Sequence, residues 1–281
     1  MKRPERQFSR ISARLACAGL TAALCGCTTP KHNPDQITHG VSKLISANIP
    51  GPVSGGPAWR PLVRGTMQSA TNPVPVVLGR PYGRGRVALT SVEFKAANDG
   101  GEFKANFYRW LAGTKRGSIA YTTGHREFRL LTDTADYADG ETVRRLGLHS
   151  KPLTAPVTSN QLSGVSVVFV GIAWQEITAE EIETLRQFVW NGGGLYLMGL
   201  GWSWLAYHPT NTMSDYPMEK AAAPYDGHWL DGVVDNGQTF SQTPEKDGFT
   251  VLTHIGEIPP SKPSARRGVS REGLRPVILV P

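Results

Sequence analysis

Residues 178–217 read TAEEIETLRQFVWNGGGLYLMGLGWSWLAYHPTNTMSDYP, and their order decides the fold. Thr178, followed three residues later by Glu181, carries the capping-box signature of a helix start. Ile182, Leu185 and Val189 share one helical face, while Glu180, Glu183 and Arg186 share the face turned to water. Asn191-Gly192-Gly193 supplies a left-handed stop, and Leu195 to Met198 is an apolar run of strand length. A loop crowded with Trp202, Trp204, Tyr207 and His208 follows. Helix, stop, buried strand and aromatic loop make one unit of an α/β layer, with the loop at the strand's carboxyl end.

The same grammar runs upstream. Ser118 to Thr122 reads as a strand, Gly140 to Leu148 as a helix, and Val165 to Ile172 as a strand apolar on both faces. Strands alternating with helices at this spacing predict an α/β fold with a doubly wound parallel sheet. Ahead of it, Val74 to Leu78 and Arg86 to Val92 flank a glycine-containing turn and predict a β-hairpin. The turn's Gly-Arg-Gly-Arg segment lacks the helix start and Lys-Ser/Thr of a phosphate loop. Phe103, Phe107, Trp110 and Leu111 lie at helical spacing and end at Gly113. Tyr225 to Val234 and Phe249 to Ile255 read as further strands or loops.

The formal charge of +7 is unevenly placed. Lys2, Arg3, Arg6, Arg10 and Arg14 precede the apolar run Leu15 to Leu24, too short to span a bilayer as a mature helix. The run ends in Leu24-Cys25-Gly26-Cys27, which resembles a bacterial lipobox and makes Cys27 the lipidation candidate. Removal of residues 1–26 takes the formal charge from +7 to +3, which withdraws the main support for a nucleic-acid partner. All three cysteines, Cys17, Cys25 and Cys27, lie in this leader, so the body holds no disulfide and no cysteine nucleophile. The expected layout is a lipoprotein signal peptide at 1–26, a tether at 27–39, an α/β domain at 40–258 and a flexible basic tail at 259–281. Within the domain, a hairpin region occupies 60–112 and the parallel-sheet core 117–235. The expected location is the cell envelope, membrane-anchored and facing the periplasm or exterior.

Ligands of open parallel sheets bind at the strands' carboxyl ends. Here those ends carry Gly124-His125-Arg126-Glu127, Gly171-Ile172-Ala173-Trp174-Gln175-Glu176 and Gly199-Leu200-Gly201-Trp202-Ser203-Trp204. The last has the strand–turn–helix shape of a nucleophile elbow, but Leu200 stands between its glycines where Ser or Cys would attack. The seven histidines show no metal-binding spacing, and no HExxH motif is present, so neither a metal nor a cofactor is expected. Asp133, Asp136 and Asp139 lack the remaining ligands of a calcium loop and read as a solvated turn. Trp202, Trp204 and Tyr207 fit either a stacking surface for glycan or peptide or a plug sealing the end of the sheet. The plug follows if 202–204 is strand-like, because alternate residues then share a side.

Gly192 to Gly194, Trp202, Trp204, Tyr207 and Tyr216-Pro217 resemble the glutamine-amidotransferase-like domain of the TRP-channel-associated factors. That domain also precedes the zinc peptidase unit of enhancin-like, mucin-degrading metallopeptidases. Pro75-Val76-Val77, Tyr82-Gly83-Arg84-Gly85-Arg86-Val87 and Ser91-Val92-Glu93 resemble the family's hairpin, with Val92 where the family has His. The resemblance covers about residues 40–235. It implies a flavodoxin-like, amidotransferase-like sheet that has lost its catalytic cysteine, and it brings no peptidase activity. The resulting expectation is a lipid-anchored, catalytically inactive binding or scaffolding module with a glycan, peptidoglycan or envelope-protein partner. Its candidate contacts are Trp202, Trp204, Tyr207, His208 and Glu93. The competing expectation is an envelope hydrolase using Glu93, His125 and His208, or the front accessory portion of a mucin- or glycoprotein-directed zinc metallopeptidase system.

Overall fold

The computed structural model describes residues 35–95, 99–129, 142–143, 146–147 and 149–234, and the backbone of 239–244 and 250–254. The leader with Cys27, the Asp133–Asp139 turn and the basic tail lie outside the described residues, as does most of the expected helix at 140–148.

Successive elements are α1 (Asp35–Thr38), β1 (Lys43–Ile45), β2 (Val53–Gly55), β3 (Arg60–Gly65), β4 (Val74–Tyr82), β5 (Gly85–Thr90), α2 (Gly100–Ala112), β6 (Ser118–Thr123) and β7 (Ser150–Thr154). They continue as β8 (Val165–Gly171), α3 (Ala179–Trp190), β9 (Gly194–Met198), α4 (Gly201–Tyr207), α5 (Pro217–Ala222), β10 (Gly227–Trp229), β11 (Thr239–Pro244) and β12 (Thr250–His254). The architecture is mixed α/β. One ten-stranded sheet runs β1-β11-β12-β3-β4-β5-β9-β8-β6-β7, and a two-stranded ribbon pairs β10 with β2.

The strands β5, β9, β8, β6 and β7 pair parallel throughout, in register Leu89↔Leu197 and Val168↔Leu195 across the centre. The expected hairpin is present but is no appendage. Strand β4 pairs antiparallel with β5, and β5 then pairs parallel with β9, so hairpin and core form one continuous sheet. Arg80, Pro81 and Tyr82 belong to β4 rather than to the connection, which tightens to Gly83 and Arg84. The edge strand β7 escaped the sequence reading because its Ser-Lys-Pro-Leu-Thr buries only Leu153.

Every residue of β5, β8 and β9 is buried, as the apolar runs predict. Alternation divides them between two cores. Ala88, Val167, Phe169 and Tyr196 pack with Phe103, Phe107 and Leu111 of α2, whereas Leu89, Val168, Val170 and Leu197 pack with Leu185, Phe188 and Val189 of α3. Gly194 is required where β9 starts, because a Cβ there would sit 2.5 Å from the Leu111 carbonyl oxygen. The final residues of the expected tether are docked rather than free, since Ile37 in α1 is fully buried.

The capping box of α3 forms as read. The Thr178 hydroxyl accepts from Glu181 N–H at 3.2 Å, and Glu181 Oε2 accepts from Thr178 N–H at 3.0 Å. Replacing Thr178 with Ala is expected to lower stability by about 1 kcal/mol, measured as a lower urea midpoint at unchanged slope.

Candidate functional site

The carboxyl ends of β5, β9, β8 and β6 face one side, and the loops leaving them determine what chemistry can occur there. After β9, Leu200 adopts φ −136 and ψ 96 as the N-cap of α4. This is ordinary extended backbone, without the sharp strain of a nucleophile elbow. Leu200 is 8% exposed, and its N–H donates to the buried Tyr216 hydroxyl at 3.1 Å. Burial pushes the Tyr216 phenol well above the usual tyrosine range. Both flanking glycines are overlaid. A Cβ at Gly199 would lie 2.6 Å from the Trp229 ring, and one at Gly201 would lie 2.6 Å from the Leu230 carbonyl oxygen. Trp229 Nε1 donates to the Thr90 carbonyl at 3.0 Å, and Leu230 and Val234 N–H groups donate to the carbonyls of Pro52 and Pro50. The position where an attacking group would stand is therefore aliphatic and covered.

After β5, Glu93 is 3% exposed. Arg129, from the loop after β6, places Nε 3.0 Å from Glu93 Oε2. Phe128 N–H donates to the Ile172 carbonyl at 3.2 Å, so this loop lies along the end of β8. His125 is buried with Nδ1 2.8 Å from the Glu176 carbonyl oxygen and Nε2 3.0 Å from Glu181 Oε1. The same Oε1 accepts Val157 N–H at 2.8 Å. The helix cap of the sequence reading is thus also the anchor of two loops. For Glu181, burial opposes ionisation, yet the Val157 and Thr178 N–H groups and the neighbouring His125 together hold its pKa below the usual value.

The five contact residues expected from sequence do not form one group. Segment 202–204 is helical rather than strand-like, so residues two apart diverge by about 200°. Trp202 packs on the α2-side core and donates to the Ile49 carbonyl at 3.1 Å, while Trp204 is buried in the α3-side core and donates to the Thr212 carbonyl at 3.0 Å. His208 stacks on Trp204, ring centroids 3.8 Å apart, and its Nδ1 bonds the Trp204 carbonyl at 3.1 Å. Tyr207, 47% exposed, meets Trp174 at 5.2 Å, and His208 meets the same ring edge-on at 5.4 Å. Phe128 stacks against Trp174 at 5.9 Å. Tyr207 and His208 therefore join an aromatic corner whose centre, Trp174, was visible in the sequence only as part of the turn after β8. Glu93 stands apart from it, tied to Arg129. Among the described residues, no three acidic, histidine or cysteine side chains are grouped to hold a metal.

Residues 66–223, more than half of the chain, match the family described as TRPM8, N-terminal domain (TCAF_N). The chain belongs to this family. The match runs from just before β4 through α5 and takes in both the parallel strands and the aromatic corner. TRPM8 channel-associated factor 2 of Bos taurus is 29% identical over 138 residues, which is 48% of this chain and 13% of that protein's length. A solved structure of IMPa from Pseudomonas aeruginosa in complex with an O-glycopeptide covers 78% of this chain and 23% of its own, at 13% identity and TM-score 0.48. The mmIFT52 N-terminal domain covers 49% of this chain and 85% of its own, at 13% identity and TM-score 0.27. Both likenesses are distant, and neither bears on what the site does.

The Glu181 carboxylate has a pH signature. Its lowered folded-state pKa contributes stability that is present above the ordinary value of 4.5 and is lost as pH falls through the folded value. Glu181→Gln is expected to lower stability at pH 7 by about 1–3 kcal/mol and to flatten the acid limb below pH 4.5, read from urea midpoints across pH.

Proposed function

We propose that the chain is a catalytically inactive, amidotransferase-like binding or scaffolding module, lipid-anchored through Cys27 at the cell envelope. The observation that carries this reading is Leu200, an aliphatic side chain at the elbow whose backbone N–H is already taken by Tyr216. Strand order supports the fold assignment. Positions β7-β6-β8-β9 follow the 2-1-3-4 start of the flavodoxin order, and β5, from upstream, fills the fifth place. The family's channel-associated relative favours a protein partner, with Tyr207 and His208 on the exposed side of the aromatic corner. Trp204 supports the corner through its stack with His208, while Trp202 and Glu93 lie outside it, bonded to the Ile49 carbonyl and to Arg129.

The hydrolase alternative asks the histidines to act as bases. His125 is enclosed between Glu181 and the Glu176 carbonyl, and Glu93 is held by Arg129. His208 packs against the Trp204 and Trp174 rings, and its Nδ1 is bonded to the Trp204 carbonyl. The peptidase-accessory alternative has no particular contact in its favour.

Assays of the purified chain with amide, ester and glycan substrates are expected to show no turnover. Turnover abolished by His208→Ala would overturn the reading. Palmitate labelling is expected to depend on Cys27, and a Cys27→Ser variant that stays equally membrane-bound would remove the anchor.

A further inference from the structure

The amino ends of the parallel strands form the edge of the sheet opposite the aromatic corner, and that edge is cationic. The loops entering β5, β6, β8 and β9 are residues 83–84, 113–117, 159–164 and 191–193. They carry Arg84, Lys115 and Arg116 and neither Asp nor Glu. Arg84 and Arg116 are exposed and Lys115 is half-buried. Among the described residues, none of the three is paired with a carboxylate. The last carboxylate of α3, Glu183, is taken by Arg186 at 2.6 Å.

Two of these cations converge on Gly192 beside an exposed tryptophan. A Cβ at Gly192 would lie 3.7 Å from Lys115 Cε and 3.8 Å from Arg84 Cβ. Arg84 N–H donates to the Trp190 carbonyl at 3.0 Å, and its guanidinium donates to Asn191 Oδ1 at 3.1 Å. Trp190 is 52% exposed and meets Tyr82 edge-on at 5.7 Å. Lys115 Nζ lies 4.7 Å from the centre of the Phe188 ring. Burial, and then the Arg84 charge, hold the Lys115 ammonium below its usual range, so like charges stand together without a balancing acid. Cations at helix C-termini answer the helix dipole. Buried Arg86 does this for α2, donating to the Trp110 carbonyl at 2.6 Å. Arg84 and Arg116 instead leave their charge at the surface.

We infer that this amino edge is a docking face for an anionic phospholipid surface. Phosphate headgroups supply the counter-charge for Arg84, Lys115 and Arg116. Trp190, braced by Tyr82, has the apolar body and polar edge that the interfacial zone of a bilayer takes up. An acidic protein segment matches the cations alone, whereas a bilayer matches cations and indole together. The inference rests on the lipid-anchor reading, which keeps the domain beside a bilayer. Docking on this edge turns the carboxyl edge, with the exposed Tyr207, away from the lipid.

The test places the full chain with vesicles of phosphatidylcholine, alone or with about a third phosphatidylglycerol, whose brominated acyl chains quench tryptophans that enter the interface. The Trp190 signal is the difference between the parent chain and Trp190→Phe. It is expected to be quenched by anionic vesicles, untouched by neutral ones, and recovered at about 1 M salt. Arg84→Gln, Lys115→Gln and Arg116→Gln are each expected to lower the docked-to-undocked ratio about fivefold, and the triple variant to abolish quenching. Lys43→Gln, at an exposed cation of β1, is expected to behave like the parent. Thermal midpoints check that the variants fold. Equal quenching by neutral and anionic vesicles, quenching by neither, or full quenching in the folded triple variant would overturn the inference. Binding of poly-L-glutamate through the same three cations, without quenching of Trp190 by lipid, would also overturn it and assign the face to an acidic protein. The anchor is scored separately, by retention on neutral vesicles that is lost in Cys27→Ser. A chain that stays anchored while Trp190 stays unquenched sinks the docking face alone. If Cys27→Ser is retained equally, the anchor falls, and quenching that depends on anionic lipid still supports the docking face.

Discussion

Two glycines at the end of β9 allow distant parts of the chain to close over the elbow. Gly199 admits the Trp229 ring, Gly201 admits the Leu230 carbonyl, and the Trp229–Val234 segment is held there by the Pro50 and Pro52 carbonyls. A side chain at either position would meet these groups well inside van der Waals contact. In an enzyme built on such an elbow, small residues keep the backbone tight so that a nucleophile can stand clear. Here the same smallness serves packing. With Leu200 buried and its N–H bonded to Tyr216, the centre of the sheet's carboxyl edge is filled by packed side chains.

The loops on either side of that closure are fixed as well. The Glu93–Arg129 pair and the Phe128–Ile172 hydrogen bond hold the loop after β6 across the end of β8. Glu181 fixes the other side, serving at once as the N3 member of a helix cap, the acceptor for Val157 and the partner of His125. A carboxylate with that many fixed donors anchors loops; it is poorly placed to exchange protons. Tyr207 stays exposed at this edge, beside the partly buried His208 and Trp174, which rest on Trp204 and Phe128.

Much of this was readable from local signals. Thr178 and Glu181 announced the start of α3, the glycine run its end, and the continuous apolar stretches of β8 and β9 a sheet covered on both faces. Leu200 between two glycines was legible as an aliphatic residue at the strand–helix turn without coordinates. The failures share a cause, which is dependence on partners far away in sequence. Nothing local in Arg60–Gly65 or Thr250–His254 says that these segments extend the parallel strands into a ten-stranded mixed sheet. The tryptophans of 202–204 were paired by the period of a strand, whereas α4 separates them into two cores. Trp174 became the centre of the corner only because the β8 and β9 loops converge, and a single tryptophan in a turn carries no sign of that.

Reinstalling a nucleophile at the elbow tests the central claim most directly. In Leu200→Cys, iodoacetamide labelling is followed by peptide-mapping mass spectrometry in buffer and in denaturant, alongside a glutaminase assay. The covered elbow predicts that the introduced thiol stays unlabelled while the protein is folded, reacts fully once it is unfolded, and yields no turnover. Rapid labelling in the folded protein, or measurable glutamine hydrolysis, would show that the edge of the sheet is an open site and would contradict the account.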